Sequence, residues 1–160
     1  MVSARIHLIK NYQISHHAYV DIFGALKEIP VWFNLMQYDF IEKGLSEKEA
    51  GAGHEIDSEW IATRDVTDYL QFEIKLRFLA KDVKKVVLES GEETYWVRLL
   101  IVIDSTLIKD HKNEFGETWH DKFFQKFYER FLMKKTIKGY AGRIIVETLD
   151  LISKLKMYLK

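Results

Sequence analysis

The sequence contains six histidines, the first residues to weigh for metal chemistry. His16 and His17 are adjacent, and neighbours on a helix point about 100° apart. His7, His54, His111 and His120 are scattered, and neither the H-x-H nor the H-E-x-x-H spacing of a zinc site occurs. Glu55, Asp57 and Glu59 recur at every second position. Paired carboxylates do acid–base work when a shared site splits their pKa values, but a solvated outer sheet face explains this row better. Arg98 lies between Trp96 and Leu100. Turned inward it could anchor a carboxylate or phosphate. The opposite parity, with Tyr95 and Val97 inward and Arg98 in solvent, is the preferred reading. There is no cysteine, which excludes disulfides, thiol catalysis and thiolate metal sites. Gly51-x-Gly53 lacks the third glycine and the following helix of a phosphate loop, and no nucleophile-elbow motif is present. No catalytic residue, metal site or cofactor is therefore assigned.

The elements that would position any site are read from periodicity. Val2 to Tyr12 alternates as a half-buried strand. Ser15 reads as a helix cap, and Tyr19, Ile22, Phe23, Leu26 and Ile29 form one helical stripe. Pro30 is expected to end that helix, with a second short helix or turn over 31–36. A short strand is predicted at 38–43, and the glycine-rich stretch 44–53 reads as a connection with a helical turn from Ser46. Strands are predicted next at 54–64 and 70–78, a weaker one at 83–89, and a last one at 94–108. Both faces of that last strand are apolar between Leu99 and Ile103, so its middle is expected to be covered on both sides. The tail from Thr118 is helical. An unbroken rod of that length would reach about 60 Å, more than a domain of this size spans, so a break is predicted near Lys134–Thr136, just ahead of Gly139 and Gly142.

The chain has 160 residues, 24 of them basic and 24 acidic, with 14% aromatic residues. One domain over 1–160 is expected. Zero net charge gives no global field to attract nucleic acid or anionic lipid. No apolar run approaches a membrane span, and the first residues lack the apolar core of a signal peptide. A cytoplasmic protein without stable membrane insertion or nucleic-acid partner is the expectation.

The order of elements resembles the START-like helix-grip superfamily, also called SRPBCC, which includes pollen allergens, polyketide cyclases and lipid-transfer domains. Ile29-Pro30-Val31-Trp32 is similar to the proline-then-tryptophan step after the first helix of cyclase-type members. Gly51-Ala52-Gly53-His54 is similar to the turn into their third strand, and Tyr128 to Phe131 through Ile152 to Leu155 to their closing helix. The resemblance implies an α+β fold. Its curved antiparallel sheet, of six to seven strands, grips a long C-terminal helix, with two short helices after the first strand. It also implies an apolar gap between sheet and helix.

The functional expectation is a module that binds or transports a small hydrophobic molecule, such as a lipid, quinone, fatty acid or aromatic metabolite. The expected wall residues are Trp32, Tyr38, Phe40, His54, Trp60, Phe72, Ile74, Leu76, Tyr95, Val97, Tyr140 and Ile144. A second reading is an enzyme of cyclase, aromatase or dehydratase type, in which His54, Tyr38 or Arg98 acts inside the same pocket. A third is a co-chaperone-like interaction protein without a ligand. In that reading Leu99 to Ile103 and the extra segment Trp119 to Phe131 are contact surfaces, a homodimer included.

Overall fold

A computed structural model describes residues 5–50, 53–112 and 118–159, with the side chains of 45–50 and 132 outside that description. The start of the expected first strand, the Gly51–Ala52 turn and the loop 113–117 lie outside the described residues. The elements run β1 (Arg5–Val20), α1 (Ile22–Leu35), β2 (Asp39–Ala50), β3 (Gly53–Asp65), β4 (Leu70–Val87), β5 (Glu93–Lys109), α2 (Trp119–Tyr128), a π-helical turn (Glu129–Met133) and α3 (Lys134–Lys156). The strands form one antiparallel sheet of five, in the order β1-β5-β4-β3-β2. The class is α+β, as expected, with fewer and longer strands.

The lower strand count has a local cause. The positions that read as breaks are irregularities inside continuous strands. Register shifts occur near Asn11 in β1, between Lys43 and Ser46 in β2, and between Lys81 and Lys84 in β4. Asn11, Gly44 and Asp82 take left-handed dihedrals at these places. Bulges of this kind bend and twist a strand without ending it, so the sheet curves without being divided. The stretch 44–50 is therefore strand, not a helical turn, and β5 keeps register through Asp104 and Ser105.

The first helix differs from expectation at both ends. Ser15 does not cap it, because 13–20 continue as β1 against Val102 to Tyr95. Asp21 is the cap, accepting from the Gly24 N–H at 3.1 Å. Pro30 lies inside α1 without stopping it. Proline in a helix interior costs about 3 kcal/mol. Burial of Ile29, Trp32 and Phe33 around it offsets that cost. No separate second helix forms. Gln37 (φ 62°) closes the helix instead, with the Tyr38 N–H bonded to the Phe33 carbonyl at 2.9 Å and the Gln37 N–H to Asn34 at 3.1 Å. That turn directs Tyr38 back into the core.

The core fills the concave side of the sheet. Inward residues include Ile56, Trp60 and Ala62 of β3, Phe72 to Phe78 at alternate positions of β4, and Val97 to Ile103 of β5. Ile144, Leu151 and Leu155 of α3 close over them. Among the described residues no second layer covers the outer face, where Leu100 and Val102 are half-buried. The tail is not interrupted near Lys134–Thr136 as expected: α2, the π turn and α3 follow one another without a non-helical residue, and the irregularity is the π turn itself. A π turn adds one residue to a helical circuit, which rotates the later residues by about 100° relative to an unbroken α-helix. Gly139 and Gly142 pass through α3 without interrupting it.

Candidate functional site

The predicted wall residues gather on the concave side, with one exception. Trp32, Tyr38, Trp60, Phe72, Ile74, Leu76, Val97 and Ile144 are buried. Phe40, Tyr95 and Tyr140 are half-buried and packed against the same core. His54 is exposed at the end of β3, opposite Val83 and beside a bulge, so it is not a wall residue. Tyr95 and Val97 do face inward, on the side of Val20 and Ala18. Arg98 faces out and pairs with Asp82 at 2.5 Å, which removes it as an interior anchor.

These side chains meet one another. The Trp32 and Tyr38 rings stack at 5.9 Å, Phe33 lies 5.5 Å from Phe40 and 6.5 Å from Trp60, and Phe72 lies 6.0 Å from Tyr140. A cavity wide enough for water leaves accessible surface on its walls. Phe33, Phe72, Ile74, Phe78, Ile101, Ile103, Ile144 and Leu151 expose none. The space between sheet and α3 is packed around these residues. Two polar groups on the inward face lack a partner among the described residues: the Trp60 Nε1–H and the Ser105 hydroxyl.

Ionisable groups do converge at one end of the core. Glu147 of α3, nearly fully buried, accepts from the Tyr38 hydroxyl at 3.1 Å, from Arg64 Nη2 at 2.9 Å and from Arg143 Nε at 3.1 Å. Arg64 also donates to the Met36 carbonyl at 2.6 Å and lies 4.6 Å over the Tyr38 ring. Burial, then the Glu147 carboxylate, pushes the Tyr38 phenol far above its ordinary value. An open cleft of about 430 Å³, lined by Gln37, Asp39, Arg64, Asp65, Val66 and Arg143, lies over this cluster. The charges are spent on each other, so the cluster ties the α1–β2 turn and β3 to α3. Sequence reasoning named Tyr38 but missed Arg64 and Glu147. The available signal was Glu147 within the otherwise apolar stripe of α3, a charge that must find a partner when buried.

The remaining candidates lie on surfaces. The row Glu55, Asp57, Glu59 is on the outer sheet face, where Arg77 holds Asp57 at 2.9 Å and approaches Glu59 at 3.8 Å. Among the described residues no group of three or more His, Asp and Glu side chains is placed to hold a metal ion.

The third region is α2. Most large apolar residues of α2 and the π turn point away from the body: Trp119 is 73% exposed, Phe123 61%, Phe124 60%, Phe127 51% and Phe131 63%, while Tyr128 and Met133 pack against the core. The buried residue of α2 is Gln125. Gln125 Nε2 donates to the Tyr69 hydroxyl at 3.0 Å, and Tyr69 in turn donates to Glu129. Lys109 donates to the other Glu129 oxygen at 3.0 Å. Polar bonds thus hold the helix on its inner side, and aromatic rings cover its outer side. Burial, then the Glu129 carboxylate, raises the Tyr69 phenol, which keeps it a donor in this network. Neither the protein-family models nor the curated proteins compared with the sequence match it.

Proposed function

We propose that the chain is an interaction protein that docks through the aromatic face of α2 and the π turn. The observation that carries this is the inverted helix: Gln125 inward, with Trp119, Phe123, Phe127 and Phe131 outward. Scattered exposed apolar residues are ordinary, but a contiguous aromatic face on a well-anchored helix marks a contact surface. The strand order β1-β5-β4-β3-β2, closed by a final helix, supports the START-like reading with a shortened sheet. No described helix is long and apolar enough to cross a membrane. A cytoplasmic location fits the lack of cysteine.

Binding of a small hydrophobic molecule on the concave side is the second reading. It is favoured by the unpartnered Trp60 Nε1–H among aromatic walls, which a guest's acceptor would satisfy. It requires α3 or Tyr140 to move away from the sheet. An enzymatic role would use the Glu147 cluster, whose groups are already mutually bonded.

The test is a solvatochromic dye that fluoresces on exposed apolar surface. The wild-type chain should bind it, and Phe123→Asp with Phe127→Asp should abolish that binding without lowering the melting temperature. Dye binding unchanged by the double variant, together with an apolar molecule released on denaturing mass spectrometry, would replace this reading with the second.

A further inference from the structure

The charges around the aromatic face identify its partner. Residues 119–138 carry six basic side chains (Lys122, Lys126, Arg130, Lys134, Lys135, Lys138) and two acidic ones (Asp121, Glu129), in a chain whose net charge is zero. Both acids are turned to internal partners. Asp121 accepts from the Thr118 hydroxyl at the helix cap, and Glu129 is held by Tyr69 and Lys109. Lys126, Arg130, Lys134, Lys135 and Lys138 are exposed. Lys122, Lys126 and Arg130 recur every fourth residue, forming a row along one flank of the rings. The Arg130 guanidinium lies 5.6 Å from the Phe131 ring.

We infer that the face from Trp119 to Phe131, with its basic flank, docks onto an anionic lipid surface. This rests on the interaction reading above and names its partner. A helix with tryptophan and phenylalanine on one side, and lysine and arginine beside them, lies in the plane of a membrane interface. The rings enter the headgroup–acyl boundary, and long basic side chains reach back to the phosphates. The ten-residue α2 is too short to span and well placed to lie flat. Self-association suits the charges less well. An antiparallel two-fold pairing of α2 would set the row Lys122, Lys126, Arg130 against its own copy, like charge against like.

The test uses the full chain with phosphatidylcholine vesicles, with and without phosphatidylserine, at low and high salt. Co-sedimentation is expected with the anionic vesicles, falling as salt rises, together with a blue shift of Trp119 emission that Trp119→Phe removes. Phe123→Asp with Phe127→Asp should abolish binding. Lys126→Gln, Arg130→Gln and Lys134→Gln together should weaken it on the order of 100-fold, from about fivefold per charge near an anionic surface. These residues face solvent, so unchanged circular dichroism will separate lost binding from lost folding. No sedimentation with anionic vesicles at low salt overturns the inference, as does binding that ignores either set of substitutions. A dimer seen by light scattering and broken by Phe127→Asp, without vesicle binding, overturns the lipid partner while the interaction reading stands. A monomer that binds neither vesicles nor dye overturns both.

Discussion

Glu147→Ala should be among the most damaging single changes outside the apolar core. It removes the shared acceptor of Tyr38, Arg64 and Arg143. Breaking a buried ion pair by deleting one partner costs about 3–5 kcal/mol. The low end applies here. Arg64 keeps the Met36 carbonyl and its place over the Tyr38 and Phe72 rings, and Arg143 is exposed enough to turn to water. A loss of about 3 kcal/mol should lower the melting temperature by roughly 6–12 °C in a domain of this size. Denaturant unfolding followed by circular dichroism should show a lower midpoint at unchanged slope. Arg64→Met with Glu147→Leu, which removes both charges, should be less destabilised than the sum of the single changes. Lys85→Gln, which breaks an exposed pair with Glu93, should leave the midpoint in place. A Glu147→Ala midpoint indistinguishable from wild type would refute the idea that this cluster ties α3 to the sheet.

The same geometry sets other expected outcomes. An unfolded tyrosine ionises near pH 10, whereas folded Tyr38 holds its proton well above that. Its stabilisation is therefore complete below pH 10 and is lost as pH rises beyond it, by roughly 1.4 kcal/mol per pH unit. Alkaline titration of stability should be shallower for Tyr38→Phe, and an identical slope would contradict the assignment. Gly139→Ala and Gly142→Ala meet open space in α3 and should each stabilise by about 0.5–1 kcal/mol. Gly24→Ala should cost about 1–3 kcal/mol, because its Cβ would sit 2.8 Å from the Tyr158 ring and against Asp21. Gln37→Gly should gain about 1 kcal/mol by relieving the left-handed turn. Thermal melts of these variants check all of these values.

The sequence made β4 and the inward set legible, because Leu70 to Phe78 alternates with charged residues and leaves one face to bury. It also placed Tyr95 and Val97 inward. Other features depended on partners far along the chain. His16 to Val20 looks helical in isolation and becomes strand only by pairing with β5. Pro30 signals a stop that the burial of Trp32 and Phe33 overrides. The π turn has the largest effect on where the aromatic residues face. On an unbroken α-helix Trp119 and Phe123 share a phase with Ile144 and Leu155. The inserted residue rotates α3 away from that register, so one stripe in sequence becomes two faces in space. Lys122, Lys126 and Arg130 were visible as an i, i+4, i+8 row, yet a net charge of zero concealed them.

The most direct measurement is fluorine NMR of the chain labelled with fluorotryptophan, with a soluble paramagnetic agent added. Trp119 should broaden strongly and Trp96 partly, while Trp32 and Trp60 stay sharp, in line with exposures of 73%, 37%, 2% and 5%. Single substitutions assign the signals. A shielded Trp119, or a Trp60 resonance that broadens like a surface residue, would contradict a filled core beneath an outward aromatic helix.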